Sequence, residues 1–154
     1  MTSENRIIYD RSLLGVEHYA GRFHVTVEMI KKFSKAVGES NPLYTDETLS
    51  EDSEYGGIIA PPTFCNIFTS GIKRPDTKVQ FGDVAYFAGQ AVDWLSPIRP
   101  GDDLTVSTKL KDVYEKTGRS GKMVFEVWET SFKNQQGEIV NLVRESTVRR
   151  KRKA

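Results

Sequence analysis

The chain has 154 residues, 38% of them hydrophobic and 28% charged, with a formal net charge of +1. That describes one soluble domain, 1–154, large enough to bury a core without disulfide or metal staples. No apolar run approaches the roughly 18 residues of a membrane helix, and Met1-Thr2-Ser3-Glu4-Asn5 lacks a basic-then-apolar leader. Cys65 is the sole cysteine, so no internal disulfide forms and a reducing cytoplasm is the expected setting. Two histidines and one cysteine are too few for a structural zinc site, and neither metal nor cofactor is expected.

Residues 1–25 read as extended or irregular, with His18 and His24 as structural residues. Val27, Ile30, Phe33 and Val37 then recur at spacings of three and four around Lys31, Lys32 and Lys35, which predicts a helix with one apolar face. Thr26 suits its N-cap, Glu28 its first turn and Gly38 its stop. Thr45 or Asp46 is placed to cap a short acidic helix ending before Tyr55-Gly56-Gly57. Pro61-Pro62 forbids a helix interior or a central strand and opens a third short helix, Thr63 to Ser70. Cys65 reads as a small buried apolar residue.

From Ala88 onward the period becomes that of strands: Gln90 to Arg99, Asp103 to Tyr114, Lys122 to Lys133 and Glu138 to Arg150. Pro97 with Pro100-Gly101-Asp102, Gly118-Arg119-Ser120-Gly121 and Asn134-Gln135-Gln136-Gly137 supply the turns, and Asp102 is expected to stabilise its own. Leu104, Val106, Thr108 and Leu110 share one strand face, with Thr105, Ser107 and Lys109 on the other. Short connections between long strands predict antiparallel neighbours. One early helix and a late antiparallel sheet make an α+β fold with the helix on one sheet face. The other face is expected to be partly wet or covered by a partner. The basic run Arg149-Arg150-Lys151-Arg152-Lys153 leaves the rest of the chain acidic overall. With no aromatics interleaved for base stacking, it reads as a strand end running into a solvated tail, 149–154, rather than a nucleic-acid surface.

The segment Gly38-Glu39-Ser40-Asn41-Pro42-Leu43-Tyr44, followed by Ile58-Ile59-Ala60-Pro61-Pro62-Thr63-Phe64, resembles the active-site loop of MaoC-like (R)-specific enoyl-CoA hydratases and dehydratases. Pro97-Ile98-Arg99-Pro100-Gly101-Asp102 and the stretch Val113-Tyr114-Glu115-Lys116 with Gly118-Arg119-Ser120-Gly121 extend the resemblance over nearly the whole chain. The chain is most similar to the family's N-terminal, partner-type, FAS1-like dehydratase domain. This implies a hot-dog fold, an antiparallel sheet wrapped around one central helix. It also implies an acyl thioester of CoA or acyl-carrier protein as ligand, with a second hot-dog subunit or a second copy as partner. Neither nucleic acid nor membrane is among the implied partners.

In the family this loop reads Asp-x-Asn-Pro-x-His. Its Asp and His activate water, and a backbone amide in the following segment binds the thioester oxygen. Carried over, the implied catalytic positions are Glu39, Tyr44 and Asn41, and the implied substrate-binding residues are Pro61, Pro62, Thr63 and Phe64. Three departures bear on activity. Glu39 is one methylene longer than the family's Asp. Tyr44 replaces the His, and a phenol with a pKa of about 10 is a donor rather than a base at neutral pH. Pro62 replaces a Gly and has no N–H to offer an oxyanion. Losing general acid–base catalysis costs roughly 10²–10⁴-fold, and losing one oxyanion donor roughly 10²–10³-fold. The implied function is a hydratase or dehydratase subunit with weak or no activity of its own. The alternatives are a stand-alone acyl-thioester enzyme, hydratase or thioesterase, using Glu39 and Tyr44, and an acyl-CoA or acyl-carrier binding module. Phe64, Phe68, Trp94 and Trp128 are candidates for tunnel wall, interface or plain core.

Overall fold

The computed structural model describes residues 6–152; Met1 to Asn5, Lys153 and Ala154 lie outside the described residues. The main helix, α1, spans Val27–Ala36. Thr26 caps it, its hydroxyl accepting from the Met29 N–H at 3.2 Å, and Glu28 lies in the first turn at the positive end of the helix dipole. Gly38, at φ 73°, turns the chain out of the helix. Ile30 is fully buried, and Val27 and Phe33 are partly so. Val37, expected on the same face, is 57% exposed. It is the C-cap, with φ −96° and ψ 3°, so its side chain has left the helical stripe. Ser34 is the fully buried residue of the last turn instead.

Five strands form one sheet: β1 Glu17–His24, β2 Val84–Trp94, β3 Asp103–Gly118, β4 Gly121–Lys133 and β5 Ile139–Arg150, in the order β1-β3-β4-β5-β2. Every pairing is antiparallel, as the short turns require. The structure moves several expected boundaries. The stretch read as extended or irregular contains the edge strand β1, a sheet strand beyond those expected. The first late strand is Val84–Trp94 rather than Gln90–Arg99. Its start has no clean alternation because Ala85, Tyr86, Phe87 and Ala88 are all exposed at a sheet edge, and its end leaves the ladder where the N–H groups of Leu95 and Ser96 both turn to Val140 O. Arg149 and Arg150 end β5, as the expected strand Glu138 to Arg150 has them, and are not part of the solvated tail read over 149–154: Arg149 Nε donates to Glu126 Oε2 at 2.6 Å, and Arg150 lies opposite Val84. Among the described residues no helix is long and apolar enough to cross a membrane.

The sheet's inner face carries two apolar clusters. One, under α1 and the 58–68 segment, gathers Val25, Ile30, Phe64, Phe68, Leu104, Val106, Phe132 and Val143. The second, of Leu110, Val113, Val124 and Trp128, is covered by Ile7, Tyr9, Leu13, Val79 and Phe81. Between them runs a polar seam. Arg74 pairs with Glu145, donates to Thr108 and Thr130 at 3.4 Å each, and lies 5.5 Å over the Trp128 ring. Removing one member of a half-buried, hydrogen-bonded ion pair leaves the other short of partners. Arg74→Ala should therefore cost about 1–3 kcal/mol in urea unfolding, while Arg74→Met with Glu145→Leu should recover most of that loss. Equal losses in both variants would show that the pair does not hold the seam.

Candidate functional site

The loop after α1 is built by capping. The Glu39 N–H donates to Ser34 O at 2.8 Å. Its carboxylate turns back on the chain, Oε1 accepting from the N–H groups of Ser40 and Asn41, each at 2.9 Å. Asn41 Oδ1 accepts from the Leu43 N–H at 3.0 Å, which makes Asn41 the N-cap of α2, Pro42–Thr45, with Pro42 at the first helical position. Asp46 closes α2 and caps α3, Glu47–Ser50, through the Leu49 N–H at 2.9 Å. Asp46 is thus the N-cap expected for the short acidic helix, which ends at Ser50, and α2 is an additional one-turn helix before it, with extended backbone at Asp46 between the two.

Ser34 Oγ donates to Tyr44 O at 3.1 Å and ties this loop to α1. The Ile59 N–H donates to Leu43 O at 3.2 Å and ties it to the next segment. Tyr44 is half-buried. Burial first, then the Glu39 charge, then Tyr55, push its phenol above the ordinary tyrosine value. The same structure that brings Glu39 and Tyr44 together therefore keeps the phenol protonated.

The 61–64 segment divides. Pro61 and Phe64 are buried, and Pro62 and Thr63 are exposed. Phe64 sits edge-on between Phe33 and Phe68 at 5.8 and 5.6 Å, so a ligand arriving from solvent meets Pro62 and Thr63 first. Pro62 O accepts from Asn141 Nδ2 at 3.1 Å. Asn141 lies fully buried on β5, and its Oδ1 has no partner among the described residues. The third expected helix is confined to α4, Asn66–Thr69. An open apolar groove of about 310 Å³ runs beside this segment, lined by Met29, Lys32, Phe33, Ala36 and Ile67.

The remaining singled-out residues scatter. Cys65 is fully buried, and burial pushes its thiol up. Asp102 fastens its turn, accepting from the Arg99 N–H at 2.8 Å and from Gln135 Nε2 at 2.9 Å. His24 pairs with Asp103 at 2.9 Å on the surface, and His18 lies 6.5 Å from Trp128 on the inner face. Phe68 and Trp128 are core, while Trp94 is 37% exposed and meets Tyr55. Sequence reasoning missed Ser34 and Asn141. Ser34 carries no apolar signal, but an Asn inside the strand run Ile139–Arg150 is a flag, since Asn is depleted in strands. Among the described residues no three His, Cys, Asp or Glu side chains converge on a metal position.

A helix laid on an all-antiparallel sheet, with a capped loop after the helix, defines the hot-dog fold of MaoC-like dehydratases. A family model described as the FAS1-like dehydratase domain region matches residues 12–143, and the chain belongs to that family. A UPF0336 protein of Streptomyces coelicolor is 30% identical over 115 residues, covering 71% of this chain and 76% of the relative. The alpha subunit of a 3-oxo-4,17-pregnadiene-20-carboxyl-CoA hydratase of Mycobacterium tuberculosis is 26% identical over 102 residues, covering 58% of this chain and 33% of that subunit. In structure, the C-terminally truncated HadBC (3R-hydroxyacyl-ACP dehydratase) complex of M. tuberculosis superposes with a TM-score of 0.73 at 21% identity, covering 88% of this chain and 96% of the other.

A raised phenol pKa has a readable consequence. Tyr44 should add nothing to tyrosinate absorbance at pH 7–9, and the difference between wild type and Tyr44→Phe should develop only above the ordinary value of about 10. The sign for stability follows. A group whose folded pKa is raised holds its proton more tightly when folded, so its contribution is present below pH 10 and is lost as pH rises through the folded value. A one-tyrosine difference at pH 8 would contradict both statements.

Proposed function

We propose that this chain is a hot-dog subunit of an (R)-specific enoyl-CoA hydratase or 3-hydroxyacyl-thioester dehydratase. It carries little or no activity of its own and works beside a second hot-dog subunit whose Asp/His loop is intact. The observation that carries this reading is the state of the two dyad positions. The Glu39 carboxylate is engaged by two backbone N–H groups of its own turn, and Tyr44 is a phenol pushed further from ionisation. A hydratase needs a base for water at neutral pH, and neither group is placed to be one. Pro62, without an N–H, leaves the thioester oxygen no donor at that position. Two similar proteins support the subunit role: one relative is the alpha subunit of a CoA-thioester hydratase, and one structural neighbour is a dehydratase complex. The apolar groove beside Phe33 and the exposed Pro62 and Thr63 then serve to bind the acyl thioester rather than to turn it over.

Crotonyl-CoA hydration by the pure chain, followed at the enoyl-thioester absorbance, tests this. The expected rate is at least about 10²-fold below that of a member with the intact loop. Activity should appear when a loop-intact hot-dog subunit is added, and Tyr44→Phe should leave the complex's kcat unchanged. Turnover by the pure chain in the ordinary range of about 1–10³ per second, abolished by Tyr44→Phe or Glu39→Gln, would instead establish the stand-alone enzyme.

A further inference from the structure

The face of the sheet turned away from α1 carries a depression of about 270 Å³ over β3 and β4. The ladder register explains it. Lys109 lies opposite Glu129, Ser107 opposite Ser131, and Thr105 opposite Lys133. Side chains on one face of a strand repeat every two residues, about 6.6 Å. Two short hydroxyl side chains therefore sit side by side between longer neighbours, and the face sinks there. On β5, Leu142 lies opposite Ser131 and Ile139 opposite Lys133, which gives the depression one apolar wall. On the inner face the neighbouring pair, Thr108 and Thr130, bond each other at 3.1 Å. The hydroxyls of Ser107 and Ser131 have no such partner among the described residues.

Two lysines flank the serine pair from opposite ends. Lys109 and Lys133 each lie two residues along a strand from it, about 6.6 Å, a distance that a flexible four-carbon stem spans. Glu129, 7% exposed, is the acid at the Lys109 end, and it is over-supplied with cations. Lys111 holds it at 2.6 Å, Lys109 at 3.5 Å and Arg144 at 3.6 Å, while Arg144 also meets Asp93 at 2.8 Å. Glu17, exposed opposite Lys109 on β1, is the remaining acid of the rim. Lys133 is exposed and has no acid within ion-pair distance among the described residues. Four cations, Lys109, Lys111, Lys133 and Arg144, thus meet three acids, Glu129, Asp93 and Glu17. The unmatched positive charge lies at the Lys133 end, beside the hydroxyls.

We propose that this depression binds a small carboxylate. Its oxygens accept from the Ser107 and Ser131 hydroxyls and from Lys133 and Lys109, and charge-assisted bonds of that kind are the strong ones. Its short apolar tail lies on Leu142 and Ile139, one strand spacing of about 4.8 Å away. At about 270 Å³ the volume falls below the usual range of ligand pockets, which suits a short acid rather than a nucleotide. This goes beyond the function proposed above and does not rest on it: α1 and the groove beside Phe33 lie on the other face of the sheet.

Titration of the isotope-labelled full chain with butyrate, followed by amide chemical shifts at neutral pH, tests this. Shifts should saturate with a Kd of about 1 mM, the affinity that small-ligand efficiencies give about six non-hydrogen atoms. They should centre on 105–109, 131–133 and 139–142. Butyramide, of the same shape without the charge, should not bind, and acetate, without the tail, should bind about threefold or more weakly. Lys133→Gln should weaken butyrate about tenfold, the loss of one hydrogen bond to a charged group. Ser107→Val with Ser131→Val fills the depression with a residue type that strands favour and should abolish binding, with thermal unfolding confirming that both variants are folded. Shifts confined to Met29, Phe33 and Ile67 would put butyrate in the groove under α1 and overturn the proposal. So would equal affinity for butyramide, binding unchanged in either variant, or inorganic phosphate binding more tightly than butyrate. None of these outcomes bears on the hydration assay, so the two proposals fail separately.

Discussion

The length of the strands against the length of the helix governs this molecule. At about 1.5 Å per residue, the ten residues of α1 span about 15 Å. At about 3.3 Å per residue, the sixteen of β3 span about 50 Å. One helix therefore covers one end of the sheet and leaves Leu110, Val113, Val124 and Trp128 uncovered at the other. The chain covers them with two segments, 7–13, which ends in the 3₁₀ turn Arg11–Leu13, and the irregular 77–81, laid side by side: the Asp10 N–H donates to Thr77 O at 2.8 Å, and the Gln80 N–H to Ile8 O at 2.9 Å. Irregular backbone over a sheet has no ladder to hold it, so side chains do that work. Arg74 reaches Glu145, and Thr77 reaches Glu126, which Arg149 also holds. The polar seam between the two apolar clusters is the fastening of the strap, and it explains why charged residues occur on the inner face at all.

The candidate site inherits its geometry from the helical end. Gly38 turns the chain back along α1, Ser34 holds it there, and Leu43 hands it to Ile59. A carboxylate at position 39 can cap the turn as well as serve a water molecule, and here it caps. A tyrosine at position 44 retains a hydrogen-bonding tip while burial and the neighbouring negative charge remove it further from ionisation. The turn joins α1 to the 58–64 segment through the Ser34–Tyr44 and Leu43–Ile59 hydrogen bonds.

The parts that were legible in the sequence are those where one rule acts alone. The Thr26 cap, the apolar face of α1 through Phe33, the buried row Leu104, Val106, Thr108 and Leu110, and the three turns between late strands follow from periodicity and turn chemistry, and the structure has them. The start of β2 was not legible because an edge strand exposed on both faces has no alternation to read. The strap was not legible because neither segment carries a helical or strand period; its coverage of the second cluster is a tertiary fact. The loop's residues were singled out by resemblance, but the residues that tie them to the fold, Ser34 and Asn141, were not. Each is a small polar residue in an apolar element, and its use lies in a backbone carbonyl at least ten residues away.

The same sheet that needs a strap on its inner face is held by ion pairs and stacked rings on its outer face. On the outer face, burial tends to raise Glu129, but Lys111 and Lys109 outweigh it and hold the carboxyl below its ordinary range, with Arg144 at 3.6 Å completing the cluster. Tyr114 and Phe125 stack at 5.1 Å with Lys116 over both rings. Charges already paired within one chain gain little by meeting another surface, and a cation over an aromatic pair keeps that patch wet. These charges of the outer face are thus paired within the chain, and the inner face is covered by α1 and the strap.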